Sequence, residues 1–430
     1  MKIAVIGSGY VGLTAAVGFA KLGHQVICID IDTKRVEMLK AGVSPIFETG
    51  LEAELKAGLK TGRLAFATDL AGFLGDVQVV FIAVGTPGNA DGSVHINSVQ
   101  EVAKSVGDSL RTEQVVVIKS TVPVGTCDSL KQMLPHLEFV SNPEFLREGM
   151  ALQDFLNPQR VIVGTTSEKA INLLKEVYAP ILNESKNFLV MDPCSAEMSK
   201  YAANAMLAAR ISLMNEMSQL CEKLGADIQL VRQGVGSDSR IGTEFLNAGV
   251  GFGGSCLPKD INAMIDMGSV NDLEVPMIKA IRLANQSQKL RFANKVVKSL
   301  EHLGTPQVAV WGLSFKPETD DIREAPSFEI IDHFLHHGFS VRVYDPVAMP
   351  GFRENYKNSE KISFATDALA AIEQCDALCI LTEWSDFMKI DLQKLKFAMK
   401  VPRIFDGRNV FDPRTMKKIG IEYYSIGRPS

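Results

Sequence analysis

Residues 2–30 read KIAVIGSGYVGLTAAVGFAKLGHQVICID, and the order of textures in this stretch decides the fold. A short run that is apolar on both faces comes first, the mark of a strand covered by helices on both sides. Three glycines follow, then a helix of small and apolar residues, then a second apolar strand ending in an acid. Gly7 allows the tight turn, Gly9 lets a pyrophosphate reach the backbone, and Gly12 lets helix and strand pack closely. The helix N-terminus offers amide donors and the positive end of its dipole to phosphate. Asp30 lies about twenty residues on, where a ribose 2′-hydroxyl is bound. Its charge would repel a 2′-phosphate, which favours NAD over NADP; Arg35 is the cation nearby.

The same texture recurs at 77–84 (VQVVFIAV) and 115–120 (VVVIKS), in LEFVSNPEF and RVIVG, and at 187–192 (NFLVMD). Residues 1–192 are thus expected to form a doubly wound α/β domain. From Pro193 the apolar spacing turns helical, with a Gly-rich stretch at 234–254, and residues 193–300 are expected to be all helical. Met198, Met206, Met214 and Met217 fit core-facing helix positions. From Thr305 strands return, in PQVAVWGLSFK, SVRVYDP, DALCILTEW and RIFDGRN, so residues 301–430 read as a second α/β unit without the full glycine triplet. The fold class expected is α/β: two doubly wound, Rossmann-like parallel-sheet domains joined by a central helical domain.

The chain of 430 residues is 46% hydrophobic, long enough for more than one core. Its net charge of −5, with no basic block, argues against nucleic acid or an anionic membrane as a main partner. Seven scattered cysteines do not make a disulfide framework. No apolar run approaches membrane-spanning length, and the first residues already read as a strand rather than a leader. A reducing, cytoplasmic setting is expected.

The stretch GGSCLPKD, residues 253–260, carries the most chemistry. Pro258 suits the first turn of a helix. Cys256 then sits at that helix's N-terminus, where the dipole and Lys259 favour thiolate over a thiol whose pKa starts at about 8.5. Asp260, four residues on, faces the same side. In SKYAANAM, Lys200 and Asn204 are also i, i+4 on an otherwise apolar helix, a pairing suited to a developing oxyanion. Thr86 and Thr121 follow strand ends, where open α/β sheets bind ligands. NPEFLREG is expected to open a helix at Asn142 and Pro143, placing Glu144 and Glu148 on one face. Lys316, Arg323 and Arg408 are cations at strand ends of the second α/β unit and suit phosphates. Cys375 and Cys379 read as core. His333, His336 and His337 lack a ligand cluster, so no metal is expected. A hydride acceptor and a nucleophilic cysteine together suggest two successive oxidations, alcohol to aldehyde and aldehyde to acid through a thioester.

These motifs, with STVPVGT, FLNAGVGFGGSCLPKD, GLSFKPETDDIREAPS and FDGRN, resemble the UDP-glucose/GDP-mannose dehydrogenase family along the whole chain. The resemblance implies an NAD domain, a helical core that forms a homodimer, and a domain for the UDP-sugar substrate, with the active site between them. It implies Cys256 as nucleophile, Lys200 and Asn204 as oxyanion donors, and Asp260 as a helper in hydrolysis. Thr121 and Glu144 would hold a water that takes the proton. NAD contacts would come from Gly7, Gly9, Tyr10, Val11, Gly12, Asp30, Lys34, Thr86, Thr121, Glu148 and Arg323. The sugar nucleotide would lie along Phe145, Leu146 and Arg147, with Lys200 and Asn204. Phe245, Leu246, Asn247, Gly249, Gly253, Phe315, Lys316 and Arg408 would continue that surface. Arg240 would reach a neighbouring subunit's substrate. Thr49 stands where the family usually has proline, and GTPGNADGS departs from the usual acidic loop after Thr86. The UDP-glucose branch is favoured by FLNAGVGFGGSC and FDGRN. The alternatives are the same chemistry on GDP-mannose or a UDP-N-acetylhexosamine, a two-electron hydroxy-acid dehydrogenase with a structural Cys256, and a sensor without turnover.

Overall fold

The computed structural model describes residues 1–69, 72–89, 91–110, 114–182 and 187–429. They divide into two compact units, Met1–Ala203 and Asn204–Ser430.

In the first unit the strands are β1 (Lys2–Ile6), β2 (Gln25–Ile29), β3 (Leu64–Ala67), β4 (Val79–Ile82), β5 (Val115–Ile118), β6 (Glu138–Ser141), β7 (Val161–Gly164) and β8 (Phe188–Met191). They form one sheet in the order β3-β2-β1-β4-β5-β6-β7-β8. Helix α1 (Tyr10–Lys21) follows β1. Alternate residues of β1 fall into different cores. Ile3 and Val5 pack with Leu13 and Phe19 of α1, whereas Ala4 and Ile6 pack with Val80, Ile82 and Val99. A strand buried on both faces has no polar side to show, which is why its sequence does not alternate.

One junction departs from the parallel expectation. β6 meets β7 antiparallel at Ser141 and Gly164. The chain between them holds a single six-residue helix, Ala151–Leu156, in place of a crossover helix that would return it in parallel. The helix expected to open at Asn142 is therefore absent, and residues 142–147 are irregular. The reason lies in two side chains. Asn142 donates to the Ile162 carbonyl at 2.7 Å and accepts from the Tyr178 hydroxyl at 2.6 Å. Glu144 bends back to accept the Leu146 amide. Both compete with helical backbone bonding. Gly149, at φ +80°, then turns the chain before the helix begins. Glu144 and Glu148 consequently do not share a helix face.

Further helices are α2 (Glu168–Tyr178), α3 (Pro193–Leu224), α4 (Ile228–Gly236), α5 (Leu257–Val270), α6 (Pro276–Leu300) and α7 (Pro326–His336). α3 begins in the first unit and continues into the second.

The second unit carries β9 (Gln307–Trp311), β10 (Ser340–Tyr344), β11 (Ile362–Phe364), β12 (Ala377–Ile380), β13 (Arg403–Asp406) and β14 (Glu422–Tyr424). All run parallel, in the order β11-β10-β9-β12-β13-β14. Met214 of α3 and Phe292 and Val296 of α6 share one core with Val308 and Val310 of β9. The helices after residue 204 thus pack as one body with this sheet. Met217 lines the same core, but Met198 and Met206 are exposed, against the expectation of four core methionines. Cys375 and Cys379 are buried, as expected. No helix among the described residues is long and apolar enough to cross a membrane.

Asp345 follows β10 as Asp30 follows β2. It is buried and takes the amides of Leu313, Ser314, Val347 and Ala348, the Ser314 hydroxyl and the Trp384 indole N–H. Removing the carboxylate would orphan several buried donors at once. Asp345→Ala should destabilise the second unit by roughly 2–4 kcal/mol. Denaturant unfolding checks this; unchanged stability would contradict a structural role.

Candidate active site

The turn after β1 is built by close approach. A Cβ on Gly12 would lie 1.9 Å from the Gly7 carbonyl oxygen, and one on Gly7 2.6 Å from the Ala83 carbonyl oxygen. Gly7 also has φ +97°. Gly9 caps α1 without any side-chain acceptor, and no atom lies within 4 Å of where its Cβ would be. The N-terminus of α1 is therefore left for an outside anion, which fits a dinucleotide's pyrophosphate. Tyr10 and Val11 form the first turn of α1; the Tyr10 hydroxyl donates to the Phe47 carbonyl.

Asp30 ends β2 and accepts from the Ser8 amide at 2.7 Å, the Ser8 hydroxyl at 2.6 Å and the Asp32 amide at 3.0 Å. Arg35 lies 3.7 Å from it. Burial alone would raise the Asp30 carboxyl, but the Ser8 and Asp32 donors and the Arg35 charge outweigh it and hold the pKa low. Arg35 is thus paired with the acid. Lys34 is exposed on the short helix after β2, Thr33–Lys40. Across the sheet, the Thr86 hydroxyl donates to the Thr121 carbonyl at 2.8 Å, so the residues after β4 and β5 meet. The loop after Thr86 closes through a Gly88–Val94 bridge; its Ala90 lies outside the described residues.

Glu144 reaches α3. Its Oε1 accepts from Lys200 Nζ at 2.8 Å, with both side chains about 5% exposed. Burial would push its carboxyl up; the Lys200 charge and hydrogen bond, the Leu146 amide and the Lys119 charge together bring it below the ordinary range. Phe145 lies under two cations, with Arg160 3.9 Å and Lys200 5.4 Å from its ring centroid. Arg147 is exposed and forms a two-pronged pair with Asp154. Glu148 is half-buried in the turn that follows. Near Thr49, Glu48 accepts the Gly149 amide at 2.7 Å and anchors the end of this segment.

In the second unit, Cys256 is exposed at the N-cap of α5, with Pro258 in the first turn. Asp260 is buried one turn on. It accepts from Asn204 at 2.6 Å and from Lys259 at 2.7 Å. Lys259, expected beside the thiol, therefore spends its charge on Asp260. The chain leading to Cys256 lies against the second sheet. Val250 N–H donates to Gly407, and Gly254 N–H to Arg323. Cβ atoms on Gly249, Gly253 and Gly254 would strike Arg408, Glu324 and the Phe315 ring. These contacts bring Gly249, Gly253, Phe315, Arg323 and Arg408 together. Lys316 lies 6.0 Å from the Phe315 ring centroid. Arg323 pairs with Asp321, and Arg408 donates to the Leu381 carbonyl. Phe245 holds φ +59° ahead of buried Leu246 and exposed Asn247. Arg240 projects from a turn after α4, paired with Asp238 and 87% exposed, and does not join this cluster.

Two sets escaped the sequence reading. Lys119, at the end of β5, is buried beside Asn142 and Tyr178. A lysine closing an otherwise apolar buried strand was the available signal. The other set is three buried amides. Asn215 accepts the Gly249 amide, Gln288 donates to the Gly249 carbonyl, and Asn285 bonds both backbone groups of Phe252. Their partners lie over thirty residues away, beyond any local pattern.

A glycine turn opening α1 with Asp30 behind it defines a dinucleotide-binding protein of the Rossmann-like class, and a second parallel sheet repeats the strand order. The UDP-glucose/GDP-mannose dehydrogenase family profiles cover the chain in three parts: NAD binding domain at residues 1–182, central domain at 194–287 and UDP binding domain at 309–413. The chain belongs to that family, and NAD is its cofactor. The UDP-glucose 6-dehydrogenase of Pseudomonas aeruginosa is 43% identical over 443 residues, covering 100% of this chain and 98% of that one. A UDP-glucose dehydrogenase structure from Pyrobaculum islandicum superposes with TM-score 0.90 at 37% identity, covering 100% and 98%. The UDP-D-ManNAc dehydrogenase of Pyrococcus horikoshii follows with TM-score 0.86 at 26% identity, covering 100% and 99%.

Asp30→Ala should weaken NAD binding by about tenfold or more, the scale of a lost charged hydrogen bond. Fluorescence titration measures it, and unchanged affinity would remove Asp30 from the ribose site.

Proposed function

We propose that this chain oxidises UDP-glucose to UDP-glucuronate in two successive steps, through a thioester on Cys256. The observation that carries the reading is an exposed cysteine at the start of α5, one turn from a buried Asp260 held by Asn204 and Lys259. UDP-glucose is preferred because relatives named for it reach 43% and 37% identity, against 26% for one named for an N-acetylated sugar.

NAD, when bound, supplies the acceptor for each of the two hydrides. In the first oxidation the primary alcohol loses a hydride and its hydroxyl proton, giving the aldehyde. Glu144 and Thr121 hold the water that takes the proton. The Cys256 thiolate then forms a C–S bond to the aldehyde carbon, leaving an oxyanion. Lys200 and Asn204, one turn apart on α3, donate to that oxygen. Loss of the second hydride leaves a thioester. Water, positioned by Asp260, adds to the carbonyl; the C–S bond breaks, releasing the carboxylate and returning the thiol.

The sugar nucleotide lies along Phe145–Arg147, residues 245–249 and Gly253, with its diphosphate facing Lys316 and Arg408. Glu148 and Arg323 contact NAD. The three sequence segments, 1–192, 193–300 and 301–430, serve as NAD, dimerisation and UDP-sugar regions. Met206, Leu213 and Leu220 support the homodimer: they recur every seven residues on α3 and are 64%, 54% and 52% exposed. Such a stripe requires cover. Arg240 extends from one protomer toward its partner's substrate. The seven free cysteines suit a reducing cytoplasm.

A substrate panel with NADH and product counted together tests the reaction. Two NADH per UDP-glucuronate are expected; one per product, or faster turnover of GDP-mannose, would overturn it. Cys256→Ala should bind NAD normally yet make no acid, and acid formation at the wild-type rate would remove the covalent step. For the dimer, a Leu213→Lys, Leu220→Lys double variant should sediment as a monomer, and an unchanged sedimentation coefficient would contradict the α3 interface.

A further inference from the structure

Lys119 presents a charge problem. It is 4% exposed, and its hydrogen bonds go to neutral groups, Asn142 Oδ1 at 3.1 Å and the Tyr178 hydroxyl at 3.5 Å. Among the described residues it makes no ion pair. An ammonium buried without a counter-ion is strongly unfavourable. Three titratable groups face it: Glu144 from the segment after β6, Lys200 from α3, and Tyr178 from α2. Tyr178 is held neutral, its pKa pushed up by burial. Two lysines therefore share one carboxylate, and Lys200 holds the short contact.

We propose that Lys119 is a positioning residue: it carries the counter-charge of Glu144, so that Lys200 can turn its ammonium from Glu144 to the substrate oxyanion. This rests on the roles given above to Glu144 and Lys200. Without a second cation, releasing Lys200 would leave Glu144 buried and uncompensated. With it, the carboxylate stays ionised while the pocket gains one net positive charge to meet the new oxyanion. Burial lowers the Lys119 pKa to about 8, with Lys200 acting in the same direction and Glu144 opposing. Its ammonium is therefore present below that value and lost above it.

The test is the pH dependence of kcat for wild type, Lys119→Met and Lys119→Arg, with NAD affinity confirming the fold of each. Wild type should lose activity on an alkaline limb near the Lys119 pKa. Lys119→Met should lower kcat about 10- to 100-fold, the scale on which partners of reacting groups act. Its acid limb should rise by about one unit as Glu144 loses a neighbouring cation. Lys119→Arg, charged at every working pH, should keep the acid limb and shed the alkaline one. Unchanged kcat and limbs in Lys119→Met would overturn the proposal, as would lost kcat with both limbs unmoved, the sign of a packing defect. Should Lys119→Met fail to bind NAD, an alkaline limb retained in Lys119→Arg, or missing from wild type, overturns it. Glu144→Gln and Lys200→Met in the same assay separate the levels. If they leave kcat intact, the underlying roles fall; if they abolish it while Lys119→Met changes nothing, only the Lys119 inference falls.

Discussion

The pair between Glu144 and Lys200 is taken out of water on both sides, and much of the first unit follows from that. A buried ion pair repays its desolvation only when the geometry is good and the remaining polar atoms find partners. Glu144 must therefore sit within reach of α3, and its second oxygen must be satisfied locally, which the Leu146 amide does. That bend is incompatible with a helix starting at Asn142. It also frees Asn142 to tie β7 to Lys119 and Tyr178. An irregular segment in the middle of an α/β unit is thus the price of placing one carboxylate.

The two sheets share a strand order but not a use. Both run 3-2-1-4-5-6 in their own numbering over the first six strands, and both put an aspartate after the second strand. In the first unit that acid takes the Ser8 amide and hydroxyl and the Asp32 amide, and α1 opens at Gly9 without a side-chain cap. In the second, Asp345 draws in the amides of Leu313 and Ser314, the donors that a phosphate would need from the equivalent turn. The second turn is closed by its own carboxylate. Arg408, held at the end of β13 by the buried Asp406 loop, donates to the Leu381 carbonyl and pairs with Glu383.

The sequence was most readable where a residue's place depends on local spacing. Gly7, Gly9, Gly12 and Asp30 follow from one strand–turn–helix–strand register, and Cys256 follows from a proline two residues later. Lys200 and Asn204 needed only the helical period. Legibility ended where a side chain's meaning depends on a distant partner. Lys119 acquires its significance from Asn142 and Tyr178, and Asn215, Asn285 and Gln288 from Gly249 and Phe252. The misread helix at Asn142 has the same cause: proline and two glutamates favour a helix locally, and tertiary bonds to Asn142 and Glu144 override them. Met206 was placed inside by its apolar character, although the same character suits a face that another chain covers.

The three amides from α3 and α6 hold residues 249–252 as a neighbouring strand would, yet they are side chains. The conformation of this segment is therefore written outside it. A graft of residues 245–256 into another scaffold would carry the sequence of the loop without the instructions for its shape. Conversely, a chain that drifts at Asn285 or Gln288 could retune the loop while leaving every residue in it untouched. For anyone transplanting this loop, the unit of exchange is the loop together with two helix faces.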